Sequence, residues 1–298
     1  MSTLRDDPLR GVALVLASTL FLACSDATAK YLAASLPIVA IAWLRYLGFS
    51  LIMLAAVLAQ APAPVRSAHP GLQVLRGIGL VSSVLLFISS LRDLPVADAS
   101  AITFVSPIFI AALSIPLLGE TVGWRRWIAA LIGLVGVLVI IRPGTSAFQP
   151  AAILPVLSSL SWAGTVIVTR KMSGTDSAVT TLTYSAAVGM VVLTLLLPFH
   201  WAWPQPRELA LGAFVGLAST VGHWLVVLAY RYGAASALAP FHYSQLLWAT
   251  LFGFGIFGAV PDLWTFAGAG LIVASGLAMA YHERTRSRQD QSRPEKTT

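Results

Sequence analysis

Residues 99–119 read ASAITFVSPIFIAALSIPLLG, 21 positions without a single charge. A helix of about 20 mostly apolar residues crosses the roughly 30 Å hydrocarbon core of a bilayer. Charge-free runs recur at 11–25, 46–65, 77–91, 127–141, 143–169, 177–206, 209–230, 232–261 and 263–282. Together they predict ten helices, near 11–31, 37–59, 72–91, 97–118, 125–141, 151–171, 178–198, 208–229, 236–257 and 263–281. The chain as a whole agrees. Of its 298 residues 57% are apolar and 10% charged, against roughly 25% charged in soluble domains. Mean hydropathy is +0.81. A soluble fold would lack surface charge, and a disordered chain would lack these apolar residues.

Net charge is +7, but the basic residues sit singly or in pairs between apolar runs. They form no stripe for nucleic acid. With a cytoplasmic N-terminus, 14 of the 19 Lys and Arg fall on inner segments and 5 on outer ones. The positive-inside bias therefore predicts both termini in the cytoplasm. Cys24 is the one cysteine, so no internal disulfide and no paired-cysteine metal site is expected, and no cofactor is implied. Arg5 and Arg10 precede span 1, and residues 20–24 loosely imitate a lipoprotein cleavage box. Phe21 stands where that box wants Leu, so span 1 is read as retained.

Ten spans divide into two halves of five, and an odd number per half inverts one against the other. Spans 4 and 9 align at an offset of 139, which places Gly119 on Gly258, Trp127 on Phe266 and Ser106 on Gln245. The expected organisation is a cytoplasmic N-terminal tail (1–10), a first repeat (11–141), a second, inverted repeat (151–281) and a disordered tail (282–298). The fold class is an all-α integral membrane protein with a site between the halves.

Three patterns carry a resemblance: Asp26-Ala-Thr-Ala-Lys30 followed by Trp43-Leu-Arg45; Ala97 through Pro107 followed by Gly119-Glu120-Thr121; and Trp162 with Arg170-Lys171. They resemble the ten-span EamA-type exporters of the drug/metabolite transporter superfamily over residues 10–282. Two departures lie in the second half, where Ala259 replaces an expected Glu and Leu246 an expected Pro. The resemblance implies a carrier of small solutes in a bacterial-type inner membrane. It is nearest to exporters of amino acids, aromatic and neutral ones included.

Polar groups within spans are costly and usually face a wet interior. In span 9, Phe241, His242, Gln245 and Trp248 share a helical face with Ser244 at its margin, behind Pro240. Amide, imidazole and aromatic rings suit a zwitterion with an apolar side chain. His223 in span 8, Trp162 in span 6 and Phe87 and Ser106 in spans 3 and 4 are further cavity candidates. Each has a packing alternative. Asp26 and Lys30 at i, i+4 read first as an ion pair, with proton coupling at Asp26 as the alternative. Arg45 could instead pair with Asp26 at an outer gate. Pro107 and Pro240 are hinge candidates. Glu120 is expected to pair with Arg125 or Arg126. Gly212-x-x-x-Gly216 and the glycines of spans 5 and 10 allow close helix approach, within the chain or in a homodimer. Trp124, Trp201, Trp203 and Trp264 look like interfacial anchors.

A secondary carrier with alternating access is the leading function. An exporter of nucleobases or cationic drugs is the alternative. An intramembrane enzyme lacks a convincing nucleophile–base pair, carboxylate pair or metal cluster. No charged ring or carbonyl filter marks a channel, and the chain has no ATP-binding P-loop.

Overall fold

The computed structural model describes residues 8–59, 66–119, 124–142, 149–172, 175–200, 202–229, 232 and 239–291. Glu120, Trp201 and Tyr230 lie outside them. The described residues are helical: α1 (Pro8–Leu32), α2 (Ile38–Ala59), α3 (Pro70–Ser90), α4 (Val96–Thr103), α5 (Ser106–Leu118), α6 (Trp124–Ile141), α7 (Ile153–Lys171), α8 (Ala178–Leu196), α9 (Pro206–Ala229), α10 (Ser244–Phe257) and α11 (Leu263–Gln291). Short 3-10 turns at Pro150–Ala152, Leu197–His200 and Ala239–Tyr243 connect some of them. Pro70 and Pro206 open their helices, where a missing N–H costs nothing. The Ser177 hydroxyl caps α8 by accepting from the Thr180 N–H.

Among the described residues seven stretches are long and apolar enough to cross a membrane: Leu9–Leu32, Ile38–Ala59, Pro70–Ser90, Val96–Leu118, Pro150–Lys171, Val179–His200 and Pro206–Val226. Leu131–Ile141 and Leu263–Ser275 are shorter apolar helices. Leucines such as Leu54, Leu75, Leu131 and Leu195 stay more than half exposed, as lipid-facing side chains do. The molecule is a multi-pass membrane protein.

Helix contacts come in matched pairs. α1 packs on α9 as α7 packs on α3; α2 meets α9 as α8 meets α3; α5 meets α7 as α10 meets α1. α2 with α8 and α6 with α11 pair across the middle. Each half thus wraps partners from the other. Gly48 and Gly216 bring the α2 and α9 backbones together, for a Cβ on Gly48 would sit 2.9 Å from the Gly216 Cα. Gly136 and Gly268 do the same for α6 and α11. Gly48, Gly136, Gly216 and Gly268 thus serve packing inside the chain.

Three expectations need correction. Span 4 is two helices, with Phe104 and Val105 forming the turn between α4 and α5. Pro107 lies in the first turn of α5, and its ring clashes with the carbonyl four residues earlier. That carbonyl, on Thr103, is freed and meets the Ser159 hydroxyl of α7 at 3.2 Å. The break is therefore built into the packing of the other half. Span 9 likewise begins as a 3-10 turn through Tyr243 before α10 starts. Finally, α11 continues to Gln291, past the expected start of a disordered tail at 282. Residues 282–291 hold no Gly or Pro and are rich in Glu, Arg and Gln, good helix formers. Residues 292–298 lie outside the described set.

The 139-residue offset appears in the backbone. Gly119 ends α5 at φ 68° and Gly258 ends α10 at φ 65°, both left-handed, a conformation glycine adopts without strain. Phe104 and Tyr243, also 139 apart, touch each other with ring centroids 4.9 Å apart. The two helix breaks thus meet each other.

Candidate functional site

Around these breaks the first half supplies buried charge. Asp26, on α1 and 5% exposed, faces Arg45 of α2, whose Nη1 donates to Oδ1 at 3.4 Å. Gln245 of α10 donates from Nε2 to Oδ2 at 3.3 Å. The cavity candidate Gln245 and the coupling candidates Asp26 and Arg45 thus form one cluster across three helices. Both contacts are long for charge-assisted hydrogen bonds, which usually fall near 2.7–2.9 Å.

Lys30 does not pair with Asp26. Its ammonium donates to the carbonyls of Leu91 and Leu94, each at 2.7 Å, and lies 5.6 Å from the Phe257 ring centroid. Helices leave their last carbonyls without partners, and a cation is favoured there. The i, i+4 spacing allowed the ion pair, but the end of α3 is the stronger attraction.

Two aromatic candidates are exposed on otherwise buried helix faces. On α7, Pro155, Ser158, Ser159 and Thr165 are buried, and Ile153, Leu157 and Leu160 are exposed. Trp162 lies within the arc of the buried group, yet 37% of it is exposed. On α9, Val215, Ser219 and Gly222 are buried, while Phe214, Leu217 and Trp224 face outward. His223 falls on the buried arc but is also exposed. Its Nδ1 lies 2.7 Å from the Ser219 carbonyl. A carbonyl can only accept, so Nδ1 carries the proton and Nε2 is left as an acceptor. His223 is near enough to feel the charges of both Arg45 and Arg76.

The remaining candidates divide. Ser244 is tied to α1, its hydroxyl 2.7 Å from that of Thr19, which is a packing role. Phe241 and His242 belong to the 3-10 turn, not to α10. The face they were expected to share with Gln245 and Trp248 is therefore interrupted. Trp248 keeps a buried Nε1–H with no partner among the described residues. Phe87 and Ser106 are half-buried, on α3 and at the start of α5. Pro240 stands near the start of the 3-10 turn. The spans' hydroxyls mostly serve packing, as with Ser83 and Ser158, 3.0 Å apart. Trp124, Trp203 and Trp264 are exposed at helix ends, as anchors should be.

A shallow apolar recess lies elsewhere, between α10 and α11, lined in part by Tyr243, Leu246, Thr250, Thr265 and Phe266. Exposed Leu247 and Phe266 mark it as facing outward. It holds none of the predicted site residues.

Three features were missed in the sequence. Asp98 of α4 accepts from the Thr265 hydroxyl at 3.0 Å, next to an Arg142–Asp262 pair at 2.7 Å. This network ties α4 and the end of α6 to α11. At the opposite end of α3, Asp176 in the α7–α8 turn accepts from the Ser67 hydroxyl, the Ala68 N–H and Gln73 Nε2. These bonds, Ser67's foremost, and nearby His69 hold its carboxyl below the usual carboxylate range. Arg76 lies well within α3. A count of charges against helix length would have flagged Arg76 and Asp98.

Comparison with known proteins agrees with this architecture. The EamA-like transporter family matches residues 9–142 and again 149–281. An S-adenosylmethionine uptake transporter of Rickettsia felis is 28% identical over 276 residues, 93% of this chain and 94% of that protein. A riboflavin transporter of Rhizobium johnstonii is 30% identical over 232 residues, 76% of each chain. A pseudopaline exporter of Pseudomonas aeruginosa is 26% identical over 273 residues, 91% of this chain and 95% of that protein. One solved crystal structure, 21% identical, covers 94% of this chain and 99% of its own at a TM-score of 0.60, and shares the fold.

Proposed function

The chain belongs to the EamA-like transporter family of the drug/metabolite transporter superfamily, and on that premise we propose that it is a secondary carrier exporting amino acids and related zwitterionic metabolites across the inner membrane. It crosses the bilayer ten times as two inverted repeats, with α4–α5 counted as one crossing and the Ala239–Tyr243 turn with α10 as another. Both termini are cytoplasmic by the positive-inside bias. One half rocks against the other around the midplane.

The observation that carries this reading is the buried Asp26–Arg45–Gln245 cluster, which joins α1, α2 and α10, together with Trp162 and His223 exposed on otherwise buried helix faces. Asp26 meets the solute's ammonium, Gln245 positions Asp26, and Arg45 is the carboxylate's partner when the site is empty. Long contacts at 3.3 and 3.4 Å make Asp26 easy to recruit. Trp162, His223 and Phe87 are the walls. S-adenosylmethionine, the solute named for the Rickettsia relatives, is itself an amino acid, which supports the class. Direction follows the gradients, so relatives named for uptake and for export share one mechanism.

The exposed Trp162 ring also favours a second reading, a flat heterocyclic solute stacked on it. Riboflavin, named for other relatives, is of that kind.

Counterflow in liposomes holding only the purified protein tests both readings. Labelled amino acids, S-adenosylmethionine and riboflavin are offered one at a time. Uptake of a labelled amino acid driven by excess unlabelled solute, lost in Gln245→Ala and in Trp162→Ala, is the expected result. Counterflow with riboflavin alone selects the second reading. None with any of them, in protein shown to be folded, overturns both.

A further inference from the structure

Arg76 enters α3 six residues from its start and is partly buried. On that helix Val74, Leu75 and Ile78 face outward, and Gly77 and Gly79 meet α8 and α7. Arg76 and Phe87 fall on the remaining strip, which faces the bundle interior between α7 and α8. The guanidinium is held by neutral oxygens. Its Nε donates to Thr169 Oγ1 at 2.8 Å, and its Nη1 to Ser185 Oγ and the Thr181 carbonyl. No carboxylate among the described residues pairs with it, and Nη2 has no partner among them. A cation at this depth ordinarily has a counter-charge.

A second group is unsatisfied beside it. The Tyr46 ring lies on Gly189 of α8, where a Cβ would come within 2.0 Å of it. Gly189 is one turn beyond Ser185, on the same face. Tyr46 is 3% exposed, and its hydroxyl is buried with no partner among the described residues. A buried hydroxyl left unpaired is costly. A hydroxyl donor and a guanidinium edge, neither with a partner among the described residues and both on one strip of α8, are complementary to an oxyanion.

We propose that Arg76, with the Tyr46 hydroxyl, is the anion subsite of the carrier and takes the carboxylate of the transported solute. The inference rests on the carrier reading above. Asp26 serves the solute's ammonium, and Arg76 serves its carboxylate at another point of the pathway. Arg76 is then specificity-determining: the carrier accepts carboxylates and rejects the corresponding amines and amides at this subsite.

The test is equilibrium binding to the purified full-length protein in nanodiscs, with three labelled probes: L-phenylalanine, 3-phenylpropanoate, which lacks the ammonium, and phenethylamine, which lacks the carboxylate. Wild type is expected to bind 3-phenylpropanoate saturably. Arg76→Gln should weaken that binding at least tenfold and leave phenethylamine within twofold, while Arg76→Lys keeps most of it. Tyr46→Phe, which removes only an unpaired hydroxyl, should weaken it about threefold, and it carries the test if Arg76→Gln fails to fold. Binding of 3-phenylpropanoate without phenylalanine or phenethylamine would sink the amino-acid reading and leave the anion subsite standing. No binding of 3-phenylpropanoate to wild type overturns the assignment, as does equal binding to wild type and Arg76→Gln or, where only it folds, Tyr46→Phe.

Discussion

The two halves match in scaffold and differ in charge. At an offset of 139 or 140 residues, Thr19 and Ser159 each bring a hydroxyl to the helix break of the opposite half. Gly48 against Gly216 has its counterpart in Val188 against Gly77, and Ser18 against Gly222 in Ser158 against Ser83. Lys30 is echoed by Arg170, but three interior charges have no such echo. Asp26 aligns with Val166, Arg45 with Ser185 and Arg76 with Val215. A two-fold frame that lets the halves rock needs matched contacts, because both end states must be packed. Recognition of a solute without symmetry needs the opposite, a set of groups that occurs once. On the carrier reading proposed above, the first half carries that set, and the second answers it with uncharged partners such as Gln245, Thr169 and Ser185.

The largest test of this division is to remove a charge. Asp26→Ala strands Arg45 in the interior, and breaking a buried pair typically costs about 3–5 kcal/mol. The double variant Asp26→Ala/Arg45→Ala should recover much of that stability in detergent-solubilised unfolding, yet transport should stay lost. If the double variant is no more stable than the single one, the pair is not what couples α1 to α2.

A smaller effect tests the scaffold. Gly48→Ala pushes a Cβ into the Gly216 backbone at 2.9 Å, and Gly77→Ala pushes one into Val188 Cβ at 2.6 Å. Overpacking of this kind costs about 1–3 kcal/mol. The two should differ in rescue. Val188→Gly recreates at α8 and α3 the glycine pair of α2 and α9, so Gly77→Ala/Val188→Gly should lose less than its single variants together. No side-chain deletion can rescue Gly48→Ala, since its neighbour is already glycine. Thermal unfolding of the four proteins reads the coupling directly.

Legibility in the sequence followed the same division. The spans, the offset of 139 and the terminal glycines 119 and 258 rest on composition and local backbone preference, which a one-dimensional pattern preserves. Helical spacing also put Trp162 and His223 on inward faces. It could not say which inward groups meet, because Asp26 and Gln245 are 219 residues apart. It joined Phe241 and His242 to Gln245 on one face by assuming a continuous helix, and the 3-10 turn breaks that assumption. It sent Lys30 to Asp26 by proximity along the chain, when the carbonyls at the end of α3 were open. Arg76 was overlooked because a cation near a span's end looks interfacial until its depth is known.

The smallest effect lies at the ends of the bundle, where the halves match in place but exchange roles. In the second half the α7–α8 turn offers the acid, Asp176, to the start of α3. In the first half the α1–α2 turn offers Ser35, and the acid, Glu208, stands at the start of α9. Asp176 lies outside the spans and is only partly buried, so its contribution is readable by pH. Its folded carboxyl titrates below the ordinary aspartate value of about 3.9, so the unfolded chain binds the proton more readily. Stability from this group is then complete above that value and lost as pH falls through the lower, folded one. Unfolding midpoints in detergent should drop more steeply below pH 4 for wild type than for Asp176→Asn, with the two curves parallel between pH 5 and 7. Curves parallel down to pH 3 would mean that the α7–α8 turn is held by Ser67 and Gln73 without help from the charge, and that the two ends of the bundle are neutral clasps alike.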